Sequence, residues 1–391
     1  MSIGAFVMLP KIYYIANARM PTERAHGIQL AKMCEAFLEK GVSLELVVPR
    51  RSTVSESVAS FYGLRRAIPI KKLSVLDVYL YGRVGYVAGS FSFALAYFFY
   101  LLAKRMRGER FIIYTTDIDQ FSFFLIPFLG VPYFAEIHDA KEPKWPFTFF
   151  FRRVCGLIVI NRIIKEKICA RFVLPSTRVV VHPNGIDLGV FHLEYNMQKA
   201  REQLGLPQDK KIVLYVGKFY GWKGLDTLVE AADLLRGDAS IQWYLVGDTE
   251  QRLKNITHRD TLPPSIRCIA HRTIKEIPLW LSAADVRIAL GTKKNEYSYY
   301  HTSPMKLFEY MAIPGRGIIA ADTPAIKEIV SDDEVVFYMP DNAYDLKTKI
   351  ERMIISPHES VLKSQNAFER VKGFTWEKRA DAIVQFIKNS I

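Results

Sequence analysis

A chain of 391 residues, half of them apolar and 13% aromatic, can bury a sizeable core, which excludes wholesale disorder. Its length suits two domains of about 150–200 residues each. The formal charge of +13 is lopsided, with 24 Lys and Arg against 13 Asp and Glu in residues 1–175 and 29 against 27 in the remainder.

A basic half of this kind attracts polyanions, either nucleic acid or an anionic membrane leaflet, through the same long-range field. Cys34, Cys155, Cys169 and Cys268 lack any Cys-x-x-Cys spacing and read as free thiols in a reducing compartment. The opening Met-Ser-Ile-Gly-Ala has no basic leader with a long apolar region, so no secretion signal is expected.

In chain order, Lys11-Ile-Tyr-Tyr-Ile-Ala reads as a buried strand, residues 27–40 as a helix, and Ser43-Leu-Glu-Leu-Val-Val as a second strand ended by Pro49. Together they form a βαβ unit with parallel strands. Residues 52–71 look like an irregular basic excursion. The nearly uncharged segment Val84 to Ala103, closed by Lys104-Arg105-Met106-Arg107, approaches the roughly 20 residues that span a bilayer. Gly85, Gly89, Ser90 and Ser92 dilute it, and the strand at 111–115 needs a sheet to join. It is therefore expected to be a buried core helix. Further strands are expected at 131–136 and 156–160.

The alternation restarts near residue 179. Lys211-Ile-Val-Leu-Tyr-Val-Gly opens a series of helix 224–236, strands 241–247 and 266–269, helix 274–283, strand 285–290, helix 304–313 and strand 317–320. Residues 375–391 form an amphipathic helix. The expected architecture is α/β, with two Rossmann-like doubly wound domains, 1–178 and 179–374, facing each other across a cleft. The terminal helix is expected to cross back to the first domain.

The second domain carries the sharper chemistry. Gly217-Lys218 closes a strand and Trp222-Lys223-Gly224 precedes a helix, so both lysines should project above the carboxyl ends of the strands. Lysine is a compact point charge suited to a pyrophosphate. In His301-Thr-Ser303-Pro304-Met305-Lys306-Leu-Phe-Glu309, Ser303 is expected to cap a helix whose first position is Pro304. Its first-turn N–H groups then suit a phosphate. Glu309, among Leu307, Phe308 and Met311, is partly buried. Two readings satisfy that burial: vicinal ribose hydroxyls, or an ion pair with Lys306.

The run from Ser303 to Val330, including Asp322-Thr-Pro324 and Glu328-Ile-Val, resembles the donor-site signature of glycosyltransferase family 4, the retaining family with the GT-B fold. Glu136-Ile-His138-Asp139, Val159-Ile-Asn161, Pro183-Asn-Gly-Ile-Asp187, Gly247-Asp248 and Ala284-Asp285 extend the resemblance along nearly the whole chain.

The resemblance implies that Lys218 and Lys223 hold the pyrophosphate of a UDP- or GDP-sugar and that Glu309 binds its ribose. Met305 and Lys306 offer backbone to the distal phosphate beside Ser303, and Gly217 accompanies the lysine pair. Gly27 matches the glycine of the loop after the first strand, and His138 lies near the transferred sugar, followed by Asp139. His301 stands where the family often has a glutamate, so it either donates to a sugar hydroxyl or caps the loop. No cofactor is implied and no metal: Asp117-Ile-Asp119 reads as a loop. Besides transfer, an epimerase of the same fold or a sugar-nucleotide-binding protein with impaired catalysis fits these motifs.

Lys144-Trp-Pro-Phe-Thr-Phe-Phe-Phe-Arg-Arg153 interleaves aromatics with cations. It suits an anionic membrane, single-stranded nucleic acid or a core helix. The resemblance favours lipid over nucleic acid, with a glycan or lipid-linked acceptor and a cytoplasmic protein held on the inner face of the membrane.

Overall fold

The computed structural model describes residues 9–22, 25–51, 56–117, 119–191 and 196–391. The chain is α/β and divides into two compact units. One runs to Pro183 and takes in Trp376–Ile391, and the other is Asn184–Thr375.

The first unit holds β1 (Lys11–Ile15), β2 (Leu44–Pro49), β3 (Ile70–Leu73), β4 (Phe111–Thr116), β5 (Tyr133–Ile137), β6 (Gly156–Val159) and β7 (Val179–Val181). They form one parallel sheet in the order β3-β2-β1-β4-β5-β6-β7. The centre of this sheet is apolar on both faces, as parallel strands covered by helices require. Val179–Val181 pairs with β6 through Leu157↔Val179, so the first sheet runs past residue 178, where the first domain was expected to end. Within the basic excursion, expected to be irregular, residues 56–71 contain the helix Val58–Tyr62 and the start of edge strand β3. Lys71 and Lys72 hide that strand, because an edge tolerates charge where a centre does not.

The second unit holds β8 (Lys211–Val216), β9 (Ile241–Val246), β10 (Ile266–Ile269), β11 (Val286–Ala289), β12 (Gly317–Ala321) and β13 (Val336–Tyr338), ordered β10-β9-β8-β11-β12-β13. Each sheet reverses its strand order once, at β1/β4 and at β8/β11. Ligands of open α/β sheets bind beyond the carboxyl ends of strands at such a reversal.

The Gly82–Met106 helix departs from its expected burial. Gly85, Gly89, Phe93, Tyr97 and Leu101 form its inward stripe, and the last three join Tyr13, Ile15 and Phe111 in the core. The opposite stripe is equally apolar, with Val84, Phe91, Leu95, Phe99 and Met106 exposed and Ala88 and Leu102 half-buried. The Trp376–Ser390 helix packs beside the Ala25–Glu39 helix, burying Trp376, Arg379, Ala380, Ile383 and Ile387. Phe386 meets Phe134 edge to face at 6.0 Å. Of the four cysteines, Cys34 is fully buried and the other three are half-buried.

Candidate functional site

In the first unit, a charge cluster forms past the ends of β4 and β5. The strand Tyr133–Ile137 is wholly buried and nonetheless contains Glu136. Arg379 from the terminal helix offsets that charge, donating to Glu136 Oε1 at 2.7 Å and Oε2 at 3.2 Å. Tyr114 Oη donates to Oε2 at 2.8 Å, and the Gln29 amide donates to Oε1. Arg379 also donates to the carbonyls of His182 and Pro183. Both oxygens of Glu136 and all three guanidinium nitrogens of Arg379 are therefore engaged, as a buried charge pair requires.

His138 sits on the rim of the cluster. Its Nε2 lies 2.7 Å from Glu136 Oε1 and its Nδ1 2.8 Å from Asp117 Oδ1. Burial alone would lower the imidazole pKa, but Asp117 and then Glu136 outweigh it and push the value up to about 10. Burial likewise opposes ionisation of Glu136 and Asp117. Arg379 and His138 overcome it for Glu136, and His138 does so for Asp117, so both carboxyls lie below their usual range. Asp117 has a left-handed backbone with φ of 49°, a conformation Asp tolerates better than most residues, and this turn aims its carboxylate at His138. With both ring nitrogens donating, His138 is a fixed imidazolium and a poor proton acceptor. Asp119 instead accepts from the N–H groups of Phe121 and Ser122, both at 2.8 Å; Ile118 between the two aspartates is outside the described residues. Asp139 pairs with Lys141 at 2.6 Å.

Gly27 corrects an expectation. It lies inside the first turn of the Ala25–Glu39 helix, and a Cβ there would come within 2.3 Å of Tyr62 Oη and 2.5 Å of Thr22 Cγ2. Tyr62 Oη donates to the Thr22 carbonyl and accepts from its N–H, both at 2.8 Å. The glycine therefore admits this internal tie. Gly27→Ala is expected to cost about 1–3 kcal/mol of stability by overpacking, measured by urea unfolding.

In the second unit, the Met305–Met311 helix is fastened over the end of β8. The Val216 N–H donates to Tyr310 Oη at 2.8 Å, and the buried Arg287 donates to the carbonyls of Tyr310 and Ile313 at 2.6 Å each. Glu309 is buried there, and Lys306 Nζ donates to both its oxygens at 3.1 and 2.8 Å. The ion pair is thus the partner the structure gives Glu309. Lys223 lies alongside: burial pushes its pKa down to about 8, Lys306 adds to this, and Glu309 opposes it. Its Nζ donates to the Lys218 carbonyl at 3.2 Å and faces the rings of Tyr220 and Trp222 at 5.3 and 5.4 Å. Lys218 is exposed. Gly217 precedes it with φ of 152°, and the Gly217 carbonyl lies where a Cβ on Gly247 would be, 2.5 Å away. Two strand ends therefore approach closely beneath the lysines, which only glycine at 247 permits.

Ser303 departs from its expected role. The cap is Pro304, without a side-chain hydrogen bond, and Met305 and Lys306 open the helix. Ser303 Oγ accepts from the Asn184 N–H and its carbonyl accepts from Asn184 Nδ2, both at 3.0 Å. Ser303 thus anchors the loop that follows Pro183. His301 is buried at the end of the turn Tyr297–His301, with Nε2 3.8 Å from Glu296.

Sequence reasoning overlooked Arg379 and Gln29. A signal for the first existed, since a cation interrupts the apolar stripe Trp376, Ala380, Ile383 and Ile387. Gln29 carried none.

Residues 196–370 match the family model "Glycosyl transferases group 1". Alpha-D-kanosaminyltransferase of Streptomyces kanamyceticus is 22% identical over 61% of this chain and 65% of its own length. The chain spans less than two thirds of the length of the curated relatives it matches. Among solved structures, sucrose-phosphate synthase from Thermosynechococcus elongatus is 20% identical with a TM-score of 0.73, covering 97% of this chain and 98% of that one. Anabaena HepE in complex with UDP-glucose is 17% identical with a TM-score of 0.71, covering 97% and 99%. The two parallel-sheet units have the two-domain GT-B fold of these neighbours, and the second unit is similar to the group 1 glycosyl transferases.

Proposed function

We propose that the protein is a retaining glycosyltransferase of the family 4 type. It moves a sugar from a nucleotide-diphosphate-sugar, UDP- or GDP-linked, to a glycan or lipid-linked acceptor in the assembly of cell-surface polysaccharide or glycolipid, at the inner face of a membrane. The observation that carries this reading is the Lys223, Lys306 and Glu309 group, two cations and one buried carboxylate at the end of β8. UDP-glucose bound to a fold neighbour accords with such a donor.

In this reading the anomeric C–O bond breaks with its electron pair left on the diphosphate. Lys218 and Lys223 stabilise that negative charge. The acceptor oxygen bonds to the same face of the sugar and passes its proton to the departing diphosphate. No enzyme nucleophile is required and no metal is needed, so EDTA should leave the rate unchanged. Glu309 accepts from the ribose hydroxyls as Lys306 turns toward phosphate, and the Met305 and Lys306 backbone faces the same group. In the first unit, His138 marks the acceptor side as a fixed cation.

A thermal-shift screen of UDP-, GDP-, ADP- and CMP-sugars tests the reading, because a ligand that binds only the folded state raises its stability. One nucleotide class should raise the melting temperature, and Glu309→Ala should weaken that ligand about tenfold or more, as expected when a charged hydrogen-bond partner is lost. Full affinity in a folded Glu309→Ala protein would defeat the site assignment. Donor binding without transfer to any acceptor would instead favour an impaired sugar-nucleotide-binding protein, the reading that His301 raises.

A further inference from the structure

The Gly82–Met106 helix poses a problem of partnership. It is apolar all round, and a helix of that kind is ordinarily covered on every side. Its inward stripe is covered by the sheet. Its outward stripe is Val84, Ala88, Phe91, Leu95, Phe99, Leu102 and Met106, spaced by three and four residues, with no charge between Arg83 and Lys104. Val84 is 78% exposed and Phe99 62%, and Leu80, just before the helix, is 98% exposed.

The apolar surface continues sideways. Phe91 stacks on Phe124 at 5.5 Å, Phe128 stacks on Phe149 at 5.1 Å, and Trp145, 70% exposed, stacks on Phe149 at 6.1 Å. Arg105 donates to the Leu129 carbonyl and so joins the helix to this neighbouring segment. Cations rim the surface: Arg83, Arg107, Arg110, Lys144 and Arg152 are exposed. Exposed apolar patches of this extent mark interaction sites.

We infer that this face seats the first unit on an anionic phospholipid bilayer, with the Gly82–Met106 helix lying in the plane of the interface. A crossing orientation is ruled out by topology, since the helix connects β3 to β4 within one sheet and its inward stripe is core. From Val84 to Met106 the stripe runs about 33 Å, long enough for several side chains to enter the acyl boundary together. The basic rim selects the partner: it complements anionic headgroups, whereas a self-complementary contact between two copies would oppose Arg83 and Arg107 to their own kind. The Trp145–Arg153 helix, singled out by its sequence, contributes mainly Trp145 and Phe149, because Phe150 and Phe151 are buried. This inference deepens the membrane-facing part of the proposed function and is separable from the transfer chemistry.

Co-sedimentation of the full chain with phosphatidylcholine vesicles, with and without phosphatidylglycerol, tests it. The unaltered protein should pellet with the anionic vesicles and not with phosphatidylcholine alone. Leu95→Glu with Phe99→Glu should reduce partitioning at least about tenfold, and Arg83→Ala with Arg107→Ala about tenfold, while each keeps its circular dichroism and its nucleotide-sugar thermal shift. Equal binding by both variants and the unaltered chain would overturn the assignment. So would a dimer, indifferent to vesicles, that the Glu pair dissociates. A protein that binds vesicles as described but shows no thermal shift with any nucleotide-sugar would sink the transfer reading and leave this one standing.

Discussion

Replacing Lys223 by alanine is expected to lower kcat by roughly 10²–10³-fold, the usual loss when one preorganised group facing developing negative charge is removed. The loss should fall on the diphosphate and not on the nucleoside: affinity for UDP or GDP should drop far more than affinity for uridine or guanosine. Isothermal titration with each pair measures this, and equal losses would count against the pyrophosphate role. The depressed pKa adds a second signature. Because burial holds the ammonium at about 8, it is mostly charged at neutral pH and discharges as pH rises past 8. Diphosphate affinity should therefore weaken above pH 8 in the parent protein and stay flat there in Lys223→Ala. Lys223→Arg should keep its charge at every pH but not the compact geometry, so its diphosphate affinity should stay flat above pH 8 while its rate is only partly recovered.

Arg379→Ala is expected to destabilise the first unit by about 3–5 kcal/mol, because it strands Glu136 as an uncompensated buried carboxylate. For a unit of this size that corresponds to a fall of roughly 10 °C in melting temperature. Glu136→Gln combined with Arg379→Met, which removes both charges, should recover much of the loss; no recovery would show that Arg379 matters through packing and not through charge.

The pH dependence follows from the same cluster, with opposite signs at its two ends. Glu136 and Asp117 titrate below their ordinary range, so their contribution is present above it and is lost as acid protonates them. His138 is raised to about 10, so its contribution is complete below its ordinary 6.5 and fades as pH climbs toward 10. Denaturation curves across pH should be domed, and His138→Gln should flatten the alkaline limb and also weaken the acid limb, because His138 holds Asp117 and part of Glu136 below their ordinary range.

The architecture was largely legible because both units are built from uninterrupted apolar strands and amphipathic helices, as in Lys211–Val216 followed by Leu225–Leu234. Where reading failed, the residue's partner lay far away in sequence or the local pattern served two uses. Val179–Val181 looks like the opening of a new series, yet it closes the first sheet, since only pairing decides which sheet a three-residue strand joins. Gly27 reads as a loop glycine because it follows a strand. What demands it is Tyr62, 35 residues on. Ser303 before Pro304 is a common helix-start signal, but Asn184 claims its hydroxyl. For Glu309 the spacing allows both an ion pair and a ribose, and the structure displays the first. The Gly82–Met106 helix was read as core because composition reports apolarity and is silent on how many sides are covered.

The Trp376–Ser390 helix also bears on how the protein is made. It emerges from the ribosome after every residue of the second unit, and until then Glu136 has no guanidinium beside it and the groove for Ile383 and Phe386 stands open. The first unit is thus begun first and completed last: its sheet must wait, partly uncovered, through the synthesis of 184–375. During that interval its uncovered apolar surface is exposed to aggregation. Shortening the chain before residue 376 should leave a first unit that aggregates even though all seven of its strands are present.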